Sequence, residues 1–170
     1  RIVRHLRERG WQVVHAWTDP RSETTRETFR CQDDPENHDH MVRTRAEKVR
    51  RVAQEIPPTT INGPATGDLL VIGWGGTYGA ITAAVERAQT EGKSVASVHL
   101  RHLNPLPPDL GHILREYRRV LVPEINSGQL VRVLRAEYLV DAVGFNRVRG
   151  LPLASEEIFE AVNQLVGSPA

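Results

Sequence analysis

From Thr59 onward, short apolar runs alternate with amphipathic stretches. Asp68-Leu69-Leu70-Val71-Ile72-Gly73-Trp74 is nearly continuous in apolar character, as expected for a strand buried on both faces of a parallel sheet. The same pattern predicts strands at Ser94–Leu100, Arg119–Val122 and Ala142–Phe145. Between them the period changes to that of a helix. Thr77–Glu91 places Ile81, Ala84, Val85 and Ala88 on one face and stops at Gly92, where a left-handed residue is favoured. Leu110–Tyr117, Gly128–Tyr138 and Ser155–Val166 follow as helices. In the last, Ser155 offers an N-cap, and Glu156 and Glu157 meet the positive helix end. Four strand–helix units joined by short links predict an α/β fold, with a parallel sheet covered on both faces.

The first third of the chain reads differently. Thr18 to Asn37 is almost wholly polar, with only Phe29 and Cys31 to anchor it. That character predicts an exposed loop or arm, with Gly10–Trp17 as one short strand before it. From His40 to Glu55, Met41, Val42, Ala46, Val49, Val52, Ala53 and Ile56 mark or adjoin the apolar stripe of a helix, with Asn37 or Asp39 as its cap. Its opposite face is basic (Arg43, Arg45, Lys48, Arg50, Arg51), and Pro57-Pro58 ends it. The chain therefore divides into a polar arm over 1–37, a basic helix and linker over 38–57, and an α/β domain over 58–170. The basic face has two readings, a solvated surface or a docking face of a non-catalytic interaction protein.

Composition narrows the choices. At 170 residues, with 39% apolar and 25% charged residues, the chain can bury a core. Its 22 basic and 21 acidic residues leave a net +1, which disfavours nucleic-acid binding by bulk charge. One cysteine, Cys31, cannot build an internal disulfide or the four thiolates of an iron–sulfur cluster. No run approaches the ~20 apolar residues of a membrane span, and no signal peptide is visible, so the expected setting is cytoplasmic. The chain starts at Arg1, which suggests a processed protein or a fragment.

Candidate chemistry gathers where strands end, the usual ligand edge of open α/β sheets. Gly73-Trp74-Gly75-Gly76-Thr77-Tyr78-Gly79 joins the first strong strand to its helix. Its glycines permit a tight turn and close packing, or a close approach to an anion at the helix start. The third glycine is one place late for the dinucleotide fingerprint G-x-G-x-x-G. Arg101 and His102 stand where an acid should hold a ribose, although Arg101 suits a 2′-phosphate. An NADP- or other nucleotide-binding module is therefore an alternative. Asn104 lies in the proline-stiffened loop Leu103–Pro108, and Glu124 and Asn126 follow the third strand. Glu124 there accepts from a ligand or a neighbouring subunit, or caps the next helix. His38-Asp39-His40 lacks an evident third metal ligand, and Cys31 has no base partner.

Taken in order, these segments resemble a known family. Asp34-Pro35-Glu36-Asn37-His38 and Met41–Lys48, then Gly73–Ile81, Leu100–Pro107, Val122–Leu130 and Tyr138–Asp141, are similar to the C-terminal part of the alpha subunit of 2-oxoacid:ferredoxin oxidoreductases of the 2-oxoglutarate type. The likeness spans about four-fifths of the chain, from Pro35 to the end, and residues 1–32 depart from it as a frameshifted start or a divergent arm. It implies a transketolase C-terminal-like domain, a three-layer α/β/α sandwich with a mostly parallel five-stranded sheet whose first strand, Thr59–Asn62, is antiparallel. It implies a parent enzyme that uses thiamine diphosphate and magnesium to decarboxylate a 2-oxoacid. That enzyme passes electrons through a 4Fe–4S cluster to ferredoxin and releases an acyl-CoA from CoA. It also implies two partners, a beta subunit and a pyrimidine-binding domain that this sequence does not carry. The chain would then be inactive alone, with no catalytic residue, metal or cofactor of its own. Gly75, Gly76, Thr77, Tyr78, Arg101, Asn104, Glu124 and Asn126 would make ligand or subunit contacts from one sheet edge.

Overall fold

The computed structural model describes residues 35–167, and the chain divides into two units, Arg1–Arg50 and Arg51–Ala170. The expected strand at Gly10–Trp17 lies outside the described residues.

Helix α1 spans Pro35–Val52. It starts five residues earlier than the pattern suggests, so Pro35-Glu36-Asn37 belong to a helix and not to the polar arm. Proline at the first helical position needs no N–H partner and is preset in φ, which explains the earlier start. None of its residues is buried, and Arg43 pairs with Asp39 one turn away at 3.0 Å. A 3₁₀ turn, Ala53–Glu55, follows. Ile56 then turns extended (φ −75°, ψ 124°), the conformation that the next proline imposes on it.

The second unit carries a five-stranded sheet. Its strands are β1 (Ile61–Asn62), β2 (Gly67–Trp74), β3 (Val95–Leu100), β4 (Tyr117–Glu124) and β5 (Ala142–Asn146), in the spatial order β1-β3-β2-β4-β5. β1 pairs antiparallel with β3, and every other pairing is parallel. This is the mixed sheet that the family resemblance implied, and alternation alone pointed only to its parallel part. The helices are α2 (Tyr78–Thr90), α3 (Leu110–Arg115), α4 (Gln129–Tyr138) and α5 (Ser155–Gly167).

The period-2 alternation of strand side chains sorts the core into two layers. Leu70, Ile72, Ala96, Val98, Val120 and Val122 face α3 and α4. Leu69, Val71, Val95 and Leu121 face α2 and α5. The helical stripe Ile81, Ala84, Val85 and Ala88 is buried as expected. Each fully buried aliphatic side chain contributes roughly 1.5–3 kcal/mol, so these layers fix the sheet and the strand ends that it presents. β4 begins at Tyr117, which sequence periodicity assigned to the helix before it. Its hydroxyl donates to the Pro64 carbonyl at 2.5 Å, which ties β4 to the turn ahead of β2.

Candidate functional site

The three parallel strands β2, β3 and β4 bring Trp74, Leu100 and Glu124 to one edge of the sheet. All eight residues singled out in the sequence follow or end these strands, so they share that edge. They fall into two groups with different surroundings.

The first group closes the β4 end. Glu124 is fully buried. Its carboxylate accepts from the backbone N–H of Leu130 (2.9 Å) and Val131 (3.1 Å), from Asn126 Nδ2 (3.2 Å) and from Trp74 Nε1 (3.3 Å). Asn126 Oδ1 accepts from the N–H of Gly128 (2.8 Å) and Gln129 (3.0 Å). Two side chains thus satisfy four successive N–H groups at the start of α4, donors that a helix leaves free. Gly128, with φ at +87°, makes the turn that aims them. Of the readings open for Glu124, the helix cap is the one its geometry fulfils. Trp74 belongs to this network and was not among the expected residues. Its signal was an indole N–H on the last residue of a buried strand, a donor that needs a partner.

The second group lies open at the ends of β2 and β3. Thr77 is buried, and its hydroxyl accepts from Trp74 N (3.2 Å) and donates to Trp74 O (2.9 Å), closing the Trp74–Thr77 turn. Gly75 (φ +58°) and Gly76 are exposed on that turn, and Tyr78 stands 59% exposed at its end. Arg101 and Asn104 are exposed on the loop after β3.

The glycines of the turn divide by what surrounds them. A Cβ on Gly73 would collide with Ile81 and stand 2.7 Å from Thr77 Oγ1. Gly73 is therefore a close-packing glycine. Gly75 is set by its positive φ. Gly76 and Gly79 have nothing within 4 Å of a built Cβ, so neither packing nor space inside this unit requires them.

A groove of about 520 Å³ runs along this open half, between the segment from Ile56 to Asn62, the start of α2 and the end of β3. Thr59 fixes one wall, donating from its N–H (2.7 Å) and its hydroxyl (2.6 Å) to the two carboxylate oxygens of Asp109. His99 lines the groove and was not expected there. It sits on the same face of β3 as Val95 and Ser97, an alternation that could have found it. Its ring meets Tyr78 edge-on, with centroids 5.1 Å apart. Its Nδ1 is buried without a hydrogen-bond partner among the described residues. Burial first, and the neighbouring Arg101 charge second, hold the His99 pKa below its ordinary 6.5.

A depressed pKa means that the unfolded chain binds the His99 proton more readily than the folded one. The neutral ring contributes stability above the ordinary histidine pKa, and that stability is lost as pH falls through the folded value. His99→Gln should therefore flatten the fall in stability on acidification below pH ~6.5. Urea unfolding at a series of pH values measures it, and an unchanged slope would remove His99 as its source.

No established family model matches the chain. The five-stranded mixed sheet between two helical layers is that of a transketolase C-terminal-like domain. A split-gene transketolase solved as an inactive beta4 tetramer matches it with a TM-score of 0.51 at 20% identity, over 64% of this chain and 41% of that one, a likeness of fold alone. The chain is homologous to a stretch of the alpha subunits of 2-oxoacid:ferredoxin oxidoreductases. It is 46% identical over 127 residues to the 2-oxoglutarate oxidoreductase subunit KorA of Mycobacterium tuberculosis, covering 74% of this chain and 19% of that protein. It is 24% identical over 137 residues to the 2-oxoacid:ferredoxin oxidoreductase alpha subunit of Saccharolobus solfataricus, covering 77% and 22%. Among solved structures, a 2-oxoglutarate:ferredoxin oxidoreductase from Magnetococcus marinus, with 2-oxoglutarate, coenzyme A and succinyl-CoA bound, matches with a TM-score of 0.73 at 30% identity. That match covers 79% of this chain and 24% of the other. The chain thus spans about a fifth of the length of the curated relatives it matches. Among the described residues, no helix is long and apolar enough to cross a membrane.

Proposed function

We propose that this chain supplies the transketolase C-terminal-like domain of the alpha subunit of a 2-oxoglutarate:ferredoxin oxidoreductase, and that its task there is subunit contact rather than bond chemistry. The observation that carries the reading is that sequence likeness and fold likeness point to the same class of subunit. The parent enzyme would decarboxylate its 2-oxoacid oxidatively on thiamine diphosphate with magnesium, pass electrons through a 4Fe–4S cluster to ferredoxin, and form an acyl-CoA. In this reading the described residues hold neither the magnesium nor the cluster. Among them no three His, Cys, Asp or Glu side chains cluster as a metal site, and the Glu124 carboxylate is taken by four internal donors. Thiamine diphosphate and magnesium would then be held by the beta subunit and the pyrimidine-binding domain, and the cluster by a partner.

The contact surface in this reading is the open half of the sheet edge. Gly76, Tyr78, Arg101 and Asn104 face outward there, and a side chain at Gly76 would meet nothing inside the unit. Thr77, Glu124 and Asn126 hold the loops that present them. Gly76→Asp should leave the melting temperature within a degree or two, since surface changes away from buried features cost under about 0.5 kcal/mol, and Tyr78→Ala should cost about 0.5–1.5 kcal/mol more through its lost ring contact with His99. Both should weaken co-purification with the cognate beta subunit and the remainder of the alpha subunit. Co-purification unchanged in both variants would overturn the assignment of this edge.

A further inference from the structure

The groove beside His99 combines three features that internal packing does not explain. Its walls mix apolar groups (Pro57, Pro58, Ile81 and Pro107) with neutral polar ones (Thr60, Asn62 and Thr82), and Arg101 and His102 line it as well. No carboxylate among the described residues lines it. Arg87, Arg119, Arg135, Arg147 and Arg149 of the same unit each hold a carboxylate or a carbonyl oxygen. Arg101 and His102 are exposed and hold no such group among the described residues, so two basic side chains uncompensated by a carboxylate line the groove.

The third feature is the His99 ring. A buried polar atom without a partner, as Nδ1 is, is uncommon in folded proteins and calls for a reason. Nδ1 lies on the Gly73 side of the ring, 3.6 Å from where a Cβ at Gly73 would stand. The groove is also held in shape without a ligand, by the Thr59–Asp109 pair and by Gln89 Nε2, which donates to Asn62 O (3.3 Å) and Val95 O (2.9 Å). A volume near 520 Å³ falls within the range of small-molecule sites, roughly 300–1,000 Å³ with a few placed polar groups on apolar walls.

We propose that this groove binds a small organic anion, with its carboxylate or phosphate head on Arg101 and His102 and its apolar or aromatic body against Tyr78 and the proline wall. Arginine favours planar oxyanion heads because its fork donates two parallel hydrogen bonds. The proposal uses the same sheet edge as the subunit-contact reading. It is measured on the chain alone, so its failure and the failure of that reading are distinguishable.

The test titrates the 170-residue chain with phenyl phosphate, 3-phenylpropionate and the neutral 3-phenylpropanol, followed by calorimetry and ligand-observed NMR. At least one of the two anions should bind with a Kd below about 1 mM, and the neutral alcohol at least about tenfold more weakly. Which anion binds tells a phosphate head from a carboxylate head. Arg101→Gln with His102→Gln should abolish the preference for the anion without moving the melting temperature. Arg101→Lys should keep part of it, because the charge remains while the fork is lost. Three results overturn the proposal: no anion binding with a Kd below about 1 mM, the alcohol binding as tightly as the anions, or the Gln pair leaving anion affinity unchanged.

Discussion

Replacing Glu124 by leucine should destabilise the Arg51–Ala170 unit by about 3–5 kcal/mol, a large part of the 5–15 kcal/mol that holds an ordinary domain together. Leucine fills much the same volume, so the loss is in hydrogen bonding and not in packing. Four donors lose their acceptor at once: the N–H groups of Leu130 and Val131, the Asn126 amide and the Trp74 indole. A buried donor left unpaired costs roughly 1–3 kcal/mol, and relaxation of the Asn126 side chain recovers some of the total. Glu124→Gln keeps one acceptor oxygen but turns an amide N–H₂ toward donors, so its cost should lie below that of leucine and well above zero. Asn126→Ala removes a cap alone and should cost about 1 kcal/mol. The order Leu, Gln, then Asn126→Ala, read from thermal melts, is the signature of a carboxylate that organises the edge. Trp74 fluorescence should shift in the two Glu124 variants and not in a distant core variant. A Glu124→Leu protein that melts with the parent would mean that the network is incidental.

That network shows where the sequence was legible and where it stopped. The strands and helices of the second unit could be read from apolar runs and 3.6-residue stripes, because Leu69–Ile72 and Ile81–Ala88 are buried by the faces those periods define. The antiparallel β1 could not. It has only two residues, Ile61 and Asn62, too few for any period, and its direction depends on pairing with β3, so only the family resemblance supplied it. The boundary between α3 and β4 slipped for a related reason, since Tyr117 is apolar in both patterns and Arg115 to Arg119 is too polar to separate them. At the site, the strand ends were found because sequence order and a parallel sheet place them together. What the side chains do there was not legible. Glu124 and Arg101 are both charged residues at or just beyond a strand end, yet one is enclosed by its own helix and the other faces open space. Distance in sequence does not separate those outcomes: Trp74 lies 50 residues from the carboxylate it donates to. His99 escaped notice because a lone histidine in a strand is unremarkable until its neighbours leave one ring nitrogen enclosed and unpaired.

The glycine turn is where sequence reasoning left most open, and a set of four substitutions separates its members. Gly73→Val should cost about 2–4 kcal/mol, at the upper end of what overpacking does. The added carbon collides with Ile81 and comes within 2.7 Å of Thr77 Oγ1. The far end of Ile81 can rotate, but Thr77 cannot move without breaking both bonds to Trp74 that close the turn. Gly73→Ala should cost less, about 1–3 kcal/mol, because only Cβ must be accommodated. Gly75→Ala meets no atom within 4 Å but must hold φ near +58°, which costs about 1–2 kcal/mol for a residue with a side chain. Gly79→Ala lies in the first turn of α2 with open space around it, and should be neutral or stabilising by up to about 1 kcal/mol through helix propensity. Urea denaturation of the four variants measures the series. A Gly73→Val protein as stable as Gly79→Ala would show that β2 and α2 do not pack as closely as Gly73 implies. If the series holds, the packing glycine Gly73 and the turn glycine Gly75 are accounted for by the fold itself. Gly76 and Gly79 then remain as the positions whose lack of a side chain the packing of this unit does not require.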